Sequence, residues 1–328
     1  MTLDLYPFPA NDFDEIMPVL RVENRAVLKK LEYHTSIIEY FSICFQNCGR
    51  CVVPLNIINE NIDMVCDCER WDVSSEDQLA RIISIVAMGQ ALHAAEIVRT
   101  LIPADPAFES INSFNAARDQ LQIHGTTDEQ RNTSRWHRDG FIFEVISWVA
   151  IQKTASAKSL MKTPHVKATT QGLDGLLLEV TSSPPEIQRA TICEDKCSEN
   201  PRETFRDKVL PVFKRHHDGK REPELVAEAA SLLAQLGLGG TEATKAASRV
   251  VDLNARRYRA ALAVETAHDS LVERKKLFKS FNDLLGTNQS QRLAATFIVE
   301  GKLREYFDSL ATKAISFLDM WEKKVTHV

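Results

Sequence analysis

Gly172-Leu173-Asp174-Gly175-Leu176-Leu177-Leu178-Glu179-Val180, the turn Ser182-Ser183-Pro184-Pro185, and Gln188-Arg189-Ala190-Thr191-Ile192-Cys193-Glu194-Asp195-Lys196 form the stretch whose reading decides the fold. Two apolar runs of strand length are separated by a Ser/Pro turn, the pattern of paired strands. The first run opens on an aspartate between glycines, and the second ends on Glu-x-Lys. Side chains alternate across a strand, so Glu194 and Lys196 share one face and Asp195 takes the other. An Asp on one strand and a Glu on its neighbour offer hard oxygen ligands to Mg2+ or Mn2+, and the Asp195 backbone carbonyl is available as a third. A lysine beside such a site orients or helps to deprotonate an attacking water, or balances charge on a phosphate. The bland alternative is that these charged residues merely end strands and meet solvent.

Outward from this stretch the pattern is α/β. Residues 140–152 are dense in apolar side chains at helical period, with Glu144 in their midst, where a carboxylate is costly unless it is paired or ligating. Strands are expected over 166–170, 174–180 and 188–195. A helix is expected over 202–216, with Pro201 near its first turn. Residues 124–135 are polar and read as a boundary loop. Upstream, 20–47 and 78–101 have helical spacing, the second with Gly89 inside it, and 51–58 reads as a short strand or buried irregular segment. Downstream, helices are expected over 224–236, from an N-cap at Thr241 onward, over 269–285 and over 302–323. Strands over 258–264 and 294–299 are free to join the central sheet. The division that follows is a mainly helical region over 1–124, a core over 125–222 and an α/β extension over 223–328.

This constellation resembles the PD-(D/E)xK nuclease superfamily, whose core is the restriction-endonuclease-like fold with a mixed sheet. In that family a helix bearing a glutamate precedes strands carrying Asp and then Glu-x-Lys. The resemblance covers residues 137–217. It implies that Glu144 is the helix acid, that Asp174 and Glu194 are metal ligands, and that Lys196 is the catalytic lysine. Within it, Lys162-Thr163, Thr169-Thr170 and Gly172-Leu173-Asp174-Gly175, with Arg138-Asp139-Gly140 upstream, are similar to the nuclease subunits of Hachiman anti-phage systems. The chain departs from that pattern in having no glycine before Glu194 and in placing Asp195 where those subunits have alanine. The implied activity is Mg2+- or Mn2+-dependent cleavage of DNA, beside a helicase-like protein partner.

Charge is consistent with this division. The 328 residues carry a net charge of −5. Residues 1–130 hold 9 Lys+Arg and 20 Asp+Glu, residues 131–222 hold 16 and 12, and residues 223–328 hold 15 and 13. The part with the paired motifs is the one a polyanion would favour. The acidic first part suits docking of a basic partner or covering of the cleft. No run approaches the 18 apolar residues of a membrane span, and the first fourteen residues hold no Lys or Arg, so a cytoplasmic, membrane-free protein is expected.

Other motifs point elsewhere. Cys44-x3-Cys48-x2-Cys51 has the spacing of an iron–sulfur loop, and with Cys66 or Cys68 it has the ligand count of a zinc site. The competing reading is buried thiols packing as small hydrophobes. Cys193 and Cys197 are expected to pack. His165 and Lys167 are either phosphate contacts or solvated strand residues. The run Lys214, Arg215, His216, His217, Lys220, Arg221 either touches phosphate or complements a helix C-terminus. Glu265 and His268 read as a surface pair. No GxxxxGK[ST], HExxH or GxSxG occurs, and Gly237-Leu238-Gly239-Gly240 reads as a helix stop. Two readings stand beside the nuclease: an interaction subunit with a nuclease-like fold but no catalysis, and an iron–sulfur enzyme built on Cys44, Cys48 and Cys51.

Overall fold

Seven strands form one mixed sheet in the computed structural model of the chain, in the order β1-β2-β7-β6-β5-β4-β3. The structure describes residues 53–156, 158–165, 172–181, 184–284 and 286–326. The expected helix over 20–47, the Cys44/Cys48/Cys51 motif, the strand over 166–170 with Lys167, and Ser182-Ser183 lie outside the described residues. The strands are β1 (Leu55–Ile62), β2 (Cys66–Val73), β3 (Ser159–Met161), β4 (Gly175–Val180), β5 (Ile187–Cys197), β6 (Arg256–Glu265) and β7 (Arg292–Val299). β3, β4 and β5 run antiparallel, whereas β5, β6, β7 and β2 run parallel, and β1 closes the far edge antiparallel to β2. The sheet thus draws strands from all three segments of the sequence, and residues Val52–Val328 form one compact unit.

Helices cover both faces, as parallel strands require. On one side lie α1 (Glu76–Ala87), α2 (Ala91–Thr100), α3 (Ile111–Leu121), α4 (Asp128–Thr154) and α10 (Leu303–Thr326). On the other lie α5 (Pro201–Thr204), α6 (Leu210–His217), α7 (Glu222–Ala234), α8 (Gly240–Ala247) and α9 (Leu271–Leu277). The alternation of β6 sorts the two cores: Ala261 and Ala263 face the first group, Ala260, Leu262 and Val264 the second.

Several helix boundaries differ from the sequence expectations, each for a local reason. The stretch 78–101 is two helices, because Gly89 takes φ +80° between them. The polar segment read as a loop is the first part of α4. Thr127 caps it in a reciprocal capping box with Gln130, a signal that outweighs polarity. Arg138, Asp139 and Gly140 therefore lie inside α4 and do not precede it. β2, β3 and α3 have no counterpart among the expected elements. A π-helical turn, Phe205–Val209, joins α5 to α6. Pro211 lacks the N–H that would bond to residue 207 and its ring crowds that carbonyl, which accounts for the widened turn. α8 is capped at Gly239 and not at Thr241, and only Leu271–Leu277 of the expected 269–285 helix forms.

Candidate active site

The hairpin of β4 and β5 sets the site. Its ladder ends at the pair Gly175–Cys193, so Asp174 lies just beyond the end of β4, beside the continuing strand at Glu194–Lys196. A Cβ on Gly175 would stand 3.1 Å from the Cys193 Cβ, so any larger side chain there would press on Cys193 and the two strands would have to give by a few tenths of an ångström. β5 continues past its β4 partner because it is paired on the other side with β6 as far as Cys197 and Ala263.

Three of the expected residues meet here. Lys196 Nζ forms an ion pair with Asp174 Oδ2 and lies 3.0 Å from Glu194 Oε2. The Glu194 side chain is only 5% exposed, while those of Asp174 and Lys196 are about a quarter exposed, so the cluster opens to solvent on one side. Burial pushes the Glu194 carboxyl above the usual range; Lys196 pulls the other way and Asp174 adds to the rise. Burial disfavours the Lys196 charge, but Glu194 and Asp174 outweigh it and hold the ammonium above the usual lysine range. Lys196 is therefore a fixed cation between two acids.

Asp195 serves in two directions. Its backbone N–H donates to Asp174 Oδ2 at 3.1 Å. A strand residue projects its N–H and C=O to the same edge, so the Asp195 carbonyl also points past the end of β4, toward Asp174. Its side chain goes to the opposite face, where it pairs with Arg259 Nη1 at 3.4 Å. That guanidinium also donates to Ser147 Oγ of α4 at 2.9 Å and lies 4.8 Å from the centre of the Trp71 ring. Burial pushes the Asp195 carboxyl up to about 7 against the pull of Arg259. Arg259 is the partner that sequence reasoning missed. It sits in an apolar strand reading, and the one available signal was the acid in the middle of Glu-x-Lys, which needs a buried cation.

Glu144 does not join the three. Its Oε1 accepts from the His165 backbone N–H at 2.8 Å and lies 2.9 Å from His165 Nδ1. His165 is thus neither a solvated strand residue nor free to meet phosphate with both nitrogens. Among the described residues no hydrogen bond or ion pair links Glu144 to Asp174, Glu194 or Lys196.

The donor set fits a hard divalent cation. Two carboxylate oxygens reach the same ammonium nitrogen, and a backbone carbonyl projects to the same edge. A bound phosphate and waters would complete the near-octahedral shell that Mg2+ demands. Among the described residues no group of three or more His, Cys, Asp or Glu side chains is arranged to hold a metal, so such an ion would rest on two side chains and main chain.

Several of the remaining candidates pack or pair within the fold, while Lys214, Arg215 and Lys220 are exposed. Cys66, Cys68 and Cys193 are buried free thiols, and burial pushes both Cys68 and Cys193 up to about 12. Cys197 is half-buried and free. In the basic run His216 is fully buried, His217 Nδ1 lies 3.0 Å from the Tyr258 hydroxyl, and Arg221 pairs with Glu224. Glu265 accepts from the Leu303 backbone N–H at 3.1 Å, at the start of α10, and makes no pair with His268. No described helix is long and apolar enough to cross a membrane. Comparisons with family models, curated proteins and solved structures find no match.

Proposed function

We propose that this chain is a divalent-metal-dependent nuclease that hydrolyses phosphodiester bonds of DNA on a restriction-endonuclease-like core. The observation that carries the reading is the contact of one ammonium, Lys196 Nζ, with both Asp174 and Glu194, twenty residues apart in sequence. The order of a glutamate-bearing helix, an Asp strand and a Glu-x-Lys strand inside a mixed sheet supports the same reading.

Asp174, Glu194 and the Asp195 carbonyl would hold Mg2+ or Mn2+. When bound, such an ion polarises the phosphoryl group and lowers the pKa of a coordinated water. Lys196 supplies a cation that stays charged near neutral pH. Its part is to orient the attacking water and balance the charge that develops on the phosphate, not to remove a proton while it remains paired with both acids. The Asp195 N–H holds the Asp174 carboxylate, which fixes the distance between the strands.

Plasmid and single-stranded DNA incubated with and without Mg2+ or Mn2+ test the reading, with Glu194→Ala and Lys196→Ala beside the wild type. Metal-dependent cutting by the wild type alone is the expected result. Equal cutting by all three identifies a contaminant, and no cutting by any favours the non-catalytic interaction subunit. The resemblance to Hachiman nuclease subunits extends the proposal to anti-phage defence beside a helicase-like partner. Salt-sensitive co-purification with such a protein is the corresponding test.

A further inference from the structure

Among the described residues the acid on the helix before the hairpin makes no hydrogen bond or ion pair with the three clustered residues, yet it ties into the main chain that carries one of them. Glu144 Oε1 takes the His165 backbone N–H at 2.8 Å and faces His165 Nδ1 at 2.9 Å. An Nδ1–H donated to Glu144 leaves Nε2 as the acceptor of the ring. That nitrogen lies 3.3 Å from Lys162 Nζ. Lys162 Nζ in turn donates to the carbonyl of Leu173 at 2.9 Å, one residue before Asp174, and has Glu228 Oε2 of α7 at 3.7 Å. Gly172 completes the arrangement. It takes φ +154°, and a Cβ there would stand 3.6 Å from His165 Nε2 and 3.7 Å from Lys162 Nζ. Glu144 and His165 side chains are each close to nine-tenths buried, so the chain of bonds is shielded from competing water.

We infer that Glu144, His165 and Lys162 form a hydrogen-bonded strut, running from α4 to the Leu173 carbonyl, that positions Asp174 for the metal. Glu144 is then a positioning residue and not a ligand, and so are His165 and Lys162. The inference rests on the proposed metal site and adds to it the device that sets one ligand. Asp174 lies outside the β4–β5 ladder, and among the described residues no strand bond fixes its main chain and its carboxylate is held only by the Asp195 N–H and Lys196. A bound divalent ion would compete with Lys196 for that carboxylate. The backbone must then be fixed from behind, and Lys162 is the group that does so. Each part of the strut acts through the next, so loss of any one releases the same constraint.

Mn2+ binding by calorimetry, with kcat and KM on Mg2+-dependent DNA cleavage, tests this on the full chain. The arms are wild type, Glu194→Gln, Glu144→Gln, Glu144→Ala, His165→Ala, Lys162→Met and the double variant Glu144→Ala/Lys162→Met. The expected result is an about 10- to 100-fold weaker Mn2+ affinity in each alanine or methionine variant, the usual effect of removing a group that orients a ligand. The double variant should be no weaker than the weaker single, because both break one strut. Glu144→Gln keeps an acceptor for the His165 N–H and should bind within about threefold of wild type. Its kcat should follow its affinity, with KM for DNA unchanged. Glu144→Gln as weak as Glu144→Ala makes Glu144 a ligand and overturns the inference, and so do unchanged affinities in the His165 and Lys162 variants. A wild type that binds Mn2+ no better than Glu194→Gln overturns the metal site itself, and the strut with it.

Discussion

His216 gives the sharpest test of how the second core is built. It lies on α6 in a run of four basic residues, Lys214 to His217, yet its ring is fully buried and neither ring nitrogen has a partner among the described residues. Burial depresses its pKa from 6.5 to about 3, and Arg221, Arg256 and Arg215 push the same way. The unfolded chain therefore binds a proton there that the folded chain refuses. The associated stability is whole above pH 6.5 and is lost as pH falls from 6.5 toward about 3. At pH 5 the loss is about 1.5 pH units times about 1.4 kcal/mol, or about 2 kcal/mol. His216→Leu, close in volume, removes that group. Urea unfolding of both proteins at pH 8 and pH 5 measures the effect, and only the change in their difference counts, which cancels every other titrating group. The variant should gain about 2 kcal/mol relative to wild type between pH 8 and pH 5. Equal pH dependence in the two proteins would refute the buried neutral imidazole and return His216 to the surface, where contact with phosphate becomes open again.

Three further outcomes follow from the site. Glu194→Gln should abolish cleavage and yet raise the stability of the metal-free chain at pH 8. The folded acid holds its proton more tightly than the unfolded one, so its ionised form costs stability as pH rises above the ordinary range, and the gain should shrink toward pH 5. Thermal melts at the two pH values read this, and a loss of stability at pH 8 counts against it. Arg259→Met leaves Asp195 buried without its cation and should cost about 3–5 kcal/mol in urea unfolding at pH 8, less at pH 5 where the carboxyl protonates. A cost under 1 kcal/mol at both would show that the pair is not buried. Thr127→Ala should cost about 1 kcal/mol by removing the cap of α4, with Mn2+ affinity unchanged.

The strands were legible in their runs and the helices less so. Asp174–Val180 and Gln188–Asp195 were expected within two residues of β4 and β5, because an apolar run bounded by turn residues has few other local solutions. The first half of α4 was not, since its polar surface face hides the period and only the Thr127–Gln130 capping box marks it. β2, Cys66-Asp67-Cys68-Glu69-Arg70-Trp71-Asp72-Val73, was missed because it buries Cys66 and Cys68 on one face and Trp71 on the other among half-buried charges, so no single alternating apolar face marks it. The expected role of Glu144 as the helix acid of the site came from resemblance, and the structure pairs its carboxylate with His165.

What the sequence determined by itself was the division of Glu194, Asp195 and Lys196 between two faces, because alternation is a property of the extended backbone and needs no partner. What only the tertiary structure decided was which side chains those faces meet: Asp174 beside Lys196, Arg259 beneath Asp195 across 64 residues, and Lys162 behind Leu173. Those encounters depend on strand order and register, which are set by the burial of both sheet faces at once and leave no local periodic trace.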